Sequence, residues 1–249
     1  MRLDHKIADF LGYDLIKTRK NILLPRHLHN LFALLDINCV LDVGANYGQY
    51  GTMLRDAGYQ GRIISFEPVS SSYQRLQQTA GKDGNWDTCN FALGRTEEEL
   101  EINVTAASDF ASFLPPSEFS KNTFGDVVAI TRKERVQIKK LDDIFDKLMQ
   151  GQNQARIHLK MDTQGYDLDV FKGAKHSLQN IASLQSEISV LPVYEGMPDY
   201  LKSLTTYRSA GFEVTGMFPV SHDSATLMVV EFDCVLRKAE LPGEETRQA

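Results

Sequence analysis

The sequence predicts an α/β fold, a mostly parallel sheet with an antiparallel terminal strand and an added β-ribbon. Three observations carry that reading. Cys39-Val40-Leu41-Asp42-Val43 is a short apolar run that breaks into a glycine turn, Gly44-Ala45-Asn46-Tyr47-Gly48. A second such run, Ile63-Ile64-Ser65-Phe66, ends on an acid, Glu67, about 20 residues on, the distance at which dinucleotide folds place a ribose-binding carboxylate. Strand-like and helix-like stretches then alternate to residue 210, and two strand-like stretches close the chain.

Composition sets the outer bounds. The chain has 249 residues, 42% hydrophobic and 24% charged, enough for one large core, and a domain over 37–238 is expected. A formal charge of -6 argues against broad binding to nucleic acid, which needs a basic face, and favours a small acceptor. Cys39, Cys89 and Cys234 are far apart and odd in number, which reads as reduced core cysteines of a cytoplasmic protein. No apolar run approaches the ~20 residues that span a bilayer, so no integral membrane segment is expected.

Residues 1–36 read as a helical cap, with Ile7, Phe10 and Leu11 on one face and Leu28, Leu31, Phe32 and Leu35 on another, broken at Pro25. Lys17, Arg19, Lys20 and Arg26 form a basic cluster read as a solvated face. His27 and His29 alone are too few for a metal site.

Val40, Leu41 and Val43 suit a strand buried on both faces, Gly44 and Gly48 permit a tight turn, and 47–57 reads as a helix whose N-terminus would receive a ligand. The turn lacks the middle glycine that admits a pyrophosphate, and Asp42 beside it repels phosphate. A ligand with cationic centres and a ribose fits better, and S-adenosylmethionine combines them. Glu67 is the ribose candidate, since a carboxylate accepts from both vicinal hydroxyls, and Pro68 ends the strand and opens a pocket.

A helix over 70–80, capped by Ser70 or Ser71, and a third strand over 87–93 follow; Ala92-Leu93 should border the adenine. Residues 100–105 and 127–138 alternate as a hairpin or ribbon. The stretch 108–126 between them, with Phe110, Phe113, Leu114, Phe119 and Phe124, is long and apolar enough to be a substrate lid. Asp109 and Ser112 are its candidate substrate contacts. A helix from 141, a strand over 155–161, a helix over 166–173, a strand over 184–190 and a helix over 199–210 follow. Residues 212–218 and 226–236 form the closing hairpin, with His222 in its loop as a further substrate candidate, and 239–249 reads as a frayed tail.

Taken together, Val40-Leu41-Asp42-Val43-Gly44-Ala45-Asn46-Tyr47-Gly48, Ile63-Ile64-Ser65-Phe66-Glu67-Pro68, Ala92-Leu93-Gly94 and Leu159-Lys160-Met161-Asp162-Thr163-Gln164-Gly165 resemble the FkbM-type methyltransferase family over residues 35–236. The resemblance implies a Rossmann-like class I fold with a seven-stranded sheet, S-adenosylmethionine as cofactor, and methylation of a hydroxyl of a sugar, glycan or other small metabolite. It places Asp42, Gly44, Ala45, Asn46, Gly48, Glu67, Pro68, Ala92 and Leu93 at the cofactor. One departure is Gln164-Gly165, where the family often has Glu-Gly.

Hydroxyl methylation needs an in-line nucleophile and a base for its proton. Asp162 and Glu187, near the carboxyl ends of neighbouring predicted strands, are the candidates, Asp162 as base or anchor and Glu187 as helper. Together they could hold Mg²⁺, but no third oxygen ligand is fixed by spacing, so metal-free transfer is expected. Two other classes remain open from the residues: a nicotinamide-dependent oxidoreductase, which Glu67 would serve equally, and a non-catalytic nucleoside-binding module. Tyr13 and Lys17 match a dehydrogenase Tyr-x-x-x-Lys pattern, but on the wrong side of the glycine turn.

Overall fold

A computed structural model of the chain describes Phe10, residues 22–152 and residues 154–239. The first face of the expected cap, Lys17, Arg19 and Lys20 of its basic cluster, the Tyr13 pattern and the tail beyond 239 lie outside the described residues, apart from Phe10, which is exposed.

Helix α1 (Leu24–Leu35) buries Leu28, Leu31, Phe32 and Leu35, the stripe expected from the sequence. Pro25 starts this helix instead of breaking it, because a first-turn residue has no intrahelical use for the N–H that proline lacks. Strand β1 (Cys39–Val43), helix α2 (Gln49–Asp56), strand β2 (Arg62–Phe66), helix α3 (Ser70–Ala80) and strand β3 (Trp86–Cys89) wind one half of the main sheet. Strand β7 (Ile157–Met161), helix α6 (Asp167–Lys172), strand β8 (Ile181–Ser189), helix α7 (Tyr200–Ser209) and the pair β9 (Phe212–His222) and β10 (Val229–Lys238) form the other half.

The seven strands run in the order β3-β2-β1-β7-β8-β10-β9. β10 is antiparallel to both its neighbours, and the remaining pairings are parallel. Winding reverses between β1 and β7, so the carboxyl ends of those two strands flank the crevice where open α/β sheets bind ligands. Because β1 is central, all five of its residues are buried. Cys39, Leu41 and Val43 face one core with Leu159 and Leu184, while Val40 faces another with Leu28, Leu54 and Leu76.

Three expectations need correction. The run over 87–93 is two strands: after β3 the Asn90 side chain donates to the carbonyls of Glu67 and Pro68, and β4 (Ala92–Leu93) leaves the main sheet. It joins a second sheet of order β4-β6-β5 with β5 (Glu98–Thr105) and β6 (Ile130–Lys139), so the ribbon has a third strand. Neither Ser70 nor Ser71 caps α3; the N-cap is Val69, and carboxylates take up the free amides, Glu67 from Val69 N–H and Glu134 from Ser70 N–H. The stretch 108–126, read from the sequence without any helix of its own, is partly helical. It carries a 3₁₀ turn (Ser108–Phe110) and helix α4 (Glu118–Phe124), capped by Ser117. Phe110, Phe119 and Phe124 pack on Val193, Tyr194 and Val230, which explains its aromatic content. Helix α5 (Leu141–Leu148) then leads to β7.

Candidate active site

The turn after β1 is built around a close backbone approach. Gly44 has φ +76°, and a Cβ there would lie 1.9 Å from the Asp162 carbonyl oxygen, so any side chain would push β1 and β7 apart. The amides of Gly44 and Ala45 donate to Phe66 O at 3.0 and 3.1 Å. Asn46, itself left-handed at φ +48°, then aims its own N–H at Glu67 Oε2, 2.8 Å away.

Glu67 receives a second amide, Val69 N–H, on Oε1 at 2.8 Å. Each oxygen keeps one lone pair for another donor. Burial outweighs these bonds and pushes the carboxyl up to about 7. Asn46 Oδ1, a buried acceptor in the same turn, has no hydrogen-bond partner among the described residues.

A cavity of about 400 Å³ opens above these groups. Gly44, Ala45, Asn46, Glu67, Pro68, Ala92 and Leu93 border it on one side, Asp162 and Glu187 on another, and Asp109 contributes to its rim. Asp42, Gly48, Ser112 and His222 are not among its lining residues. Asp42 lies fully buried beneath the turn, and Gly48 is the N-cap of α2 with φ +93°. Ser112 turns inward, donating to Gln164 O at 2.7 Å. His222 is exposed at the end of β9, which runs further than its letters indicate. Asp109 Oδ1 accepts from Asn46 Nδ2 and Gln49 Nε2, and so faces the turn.

Several wall residues escaped the sequence reading. Lys160 points from β7 into the crevice, its Nζ 3.1 Å from Asp42 Oδ1, 3.4 Å from Asp162 Oδ2 and 3.0 Å from Gly44 O. Burial works against its charge, but Asp42 and Asp162 overcome it and hold the ammonium above its ordinary value. Behind them Trp86 Nε1 donates to Ser65 Oγ, which donates to Asp42 Oδ2. Tyr50 donates to Gln185 Oε1 at 3.0 Å, and Gln185 Nε2 donates to Asp233 Oδ1 at 2.9 Å. The available signal was a polar letter inside an apolar strand, as at Lys160, Gln185 and Asp233: a buried polar side chain must have a partner.

The far end of the cavity is acidic. Glu187 is raised well above the usual carboxyl range by burial and then by Asp162, Glu231 and Asp233. Burial likewise pushes Glu231 up to about 7 and Asp233 up to about 6. The cation therefore sits beside Asp162, while a proton is favoured on Glu187, a division that suits one carboxylate as base and one carboxyl as donor. Gln164 Nε2 stands between them, donating to Asp162 Oδ1 at 2.9 Å and Glu187 Oε2 at 2.8 Å. An N–H donor there competes with a cation for the same lone pairs. His27 and His29 are each engaged with protein partners, Thr215 Oγ1 and Ala57 O.

Among known proteins, the chain is 25% identical over 209 residues to the AMB antimetabolite synthetase AmbE of Pseudomonas aeruginosa, covering 71% of this chain and 10% of that protein. It thus spans about a tenth of the length of the curated relative it matches. Among solved structures it is similar to methyltransferase FkbM from Methylobacillus flagellatus, at 17% identity and TM-score 0.49, covering 81% of this chain and 44% of that one. An rRNA methylase from Streptococcus thermophilus gives 12% identity and TM-score 0.44, covering 88% of this chain and 99% of that one. The family model described as the methyltransferase FkbM domain matches residues 42–214, well over half of the chain, and the chain therefore belongs to the FkbM methyltransferase family.

Proposed function

We propose that this protein transfers a methyl group from S-adenosylmethionine to a hydroxyl of a small molecule, a sugar or another metabolite, with Asp162 as the base. The observation that supports it most is that one cavity of about 400 Å³ joins Glu67 and Ala92-Leu93 to Asp162 and Glu187. That volume lies within the ~300–1,000 Å³ usual for small-molecule and cofactor sites. Glu67 would hold the ribose through its two remaining lone pairs, Ala92 and Leu93 would border the adenine, and Asn46 Oδ1 would accept from the ligand's ammonium.

When bound, S-adenosylmethionine would supply a methyl group on a positively charged sulfur that leaves as a neutral thioether, and the residues of this chain would position the acceptor hydroxyl and take its proton. Asp162 takes the hydroxyl proton, and Glu187 and Asp233 donate to or accept from the acceptor's other polar groups. Lys160 holds the Asp162 carboxylate and the Gly44 carbonyl in one arrangement, which fixes base and cofactor turn relative to each other. Three free cysteines, two of them buried, suit the cytoplasm as the proposed compartment. Among the described residues no helix is long and apolar enough to cross a membrane.

Calorimetry tests the cofactor. S-adenosylhomocysteine is expected to bind saturably and NAD not at all; tighter binding of NAD would return the oxidoreductase reading. The same titration has a pH signature. Burial pushes Glu67 up to about 7, and ribose hydroxyls donate to its ionised form, so affinity is expected to be weaker at pH 6 than at pH 8, by up to about tenfold. Glu67→Gln should flatten that dependence, and a flat profile in the wild type removes Glu67 from the ribose contact.

The docked stretch 108–126 supplies a further expectation. Asn46 clips it to the cofactor turn through Ser108 and Asp109, so ligands that fill the cavity should slow its proteolysis. Equal cutting rates with and without S-adenosylhomocysteine would argue against a lid.

A further inference from the structure

Gln164 occupies the centre of the acidic end of the cavity in a left-handed backbone conformation, φ +53°, followed by Gly165 at φ +89°. Its amide is fully engaged. Nε2 donates to Asp162 Oδ1 and Glu187 Oε2, and Oε1 accepts from the Tyr194 hydroxyl at 2.7 Å. With the amide oxygen taken by a hydroxyl donor, one orientation remains, both N–H groups facing the carboxyls. Its main chain is held too, by Ser112 Oγ on the Gln164 carbonyl. Tyr194 also reaches Phe110 O at 3.3 Å and packs among the aromatic residues of α4, so the 108–126 stretch grips Gln164 from two sides.

Both acids therefore take a hydrogen bond from the same nitrogen, at 2.9 and 2.8 Å, and the Asp162 charge is one of the causes that raise Glu187. A glutamate at this position would add a third acid, and an apolar residue would supply no hydrogen. We propose that Gln164 is the positioning residue of the acid pair: it gives one amide hydrogen to each of Asp162 and Glu187, and Tyr194 with the docked stretch sets that orientation. The proposal rests on the reading of Asp162 as the methyltransferase base. It assigns to the covering stretch a task beyond shielding, since undocking it releases the amide that bridges the two acids. Other charged groups facing the pair are Lys160 on β7, Asp167 on α6, and Glu231 and Asp233 on β10.

The test is a titration of the side-chain carboxyls by ¹³C NMR in the full chain, with Asp162 and Glu187 assigned through Asp162→Asn and Glu187→Gln. Gln164→Leu is expected to move the upper step of the pair at least about one pH unit higher, because both donors to the charged form are lost. Tyr194→Phe, which leaves the amide free to turn, moves it the same way by less, and Gln164→Glu moves it further. S-adenosylhomocysteine affinity, measured on the same samples, stays within a few fold. Unchanged titrations of both acids in folded variants overturn the proposal, and Tyr194→Phe decides it if the position 164 variants do not fold. If the wild type fails to bind S-adenosylhomocysteine, the cofactor reading falls, while the titrations still decide the role of Gln164.

Discussion

Asp162→Asn is expected to lower turnover by about 10²- to 10⁴-fold, the usual size of a general-base contribution, with cofactor affinity within a few fold of the wild type. Asparagine keeps the shape and still offers an oxygen to the Gln164 amide or the Lys160 ammonium, but it cannot take a proton. A structural aspartate would respond differently, with thermal stability and cofactor affinity falling together. The assay requires the true acceptor, which a screen of extracts with radiolabelled methyl donor would supply. EDTA on the wild type separates the remaining roles: activity lost to EDTA and restored by Mg²⁺ would make Asp162 a metal ligand, and full activity of the Asn variant would refute both.

The sequence made one half of this cavity legible and left the other half dark, for a physical reason. Val40 to Gly48 and Ile63 to Pro68 announce themselves because a buried parallel strand, a glycine turn and a terminal acid are local patterns, each complete within ten residues or so. Asp162 was reachable on the same grounds. Lys160, Gln185 and Asp233 were not, because a polar letter in an apolar strand looks like an interruption until its partner is known, and the partner of Lys160 is Asp42 on another strand. Asp42, expected at the cofactor, lies fully buried beneath the turn, 3.1 Å from the Lys160 ammonium, a pairing that its own strand does not announce. The covering stretch posed the complementary problem. Its phenylalanines indicated burial, but α4 is short, and its contacts at Tyr194 and Val230 are made to distant parts of the chain.

Lys160→Met should produce the largest loss of stability, because it strips the ion pair from a carboxylate with no access to water. The Asp42 side chain is 0% exposed and that of Lys160 5%. Breaking such a pair costs about 3–5 kcal/mol, mostly the penalty of the stranded charge, which for a chain of this size is a fall in Tm of roughly 6–20 °C. The pH dependence follows from the signs. Lys160 is held above its ordinary 10.5, so its contribution is complete below that value and is lost only as pH rises through the higher folded value. The gap in Tm between variant and wild type should therefore be present across neutral pH and narrow only in strong alkali, where the wild type loses the lysine contribution too. Asp42→Asn combined with Lys160→Met removes the stranded charge and keeps an acceptor for Ser65 Oγ, so the double variant is expected to melt well above the single one. Its turn should nonetheless bind S-adenosylhomocysteine more weakly, since Gly44 O has lost the donor that anchors it to β7. A double variant no more stable than Lys160→Met would mean that packing of the lysine stem, and not its charge, holds the crevice together.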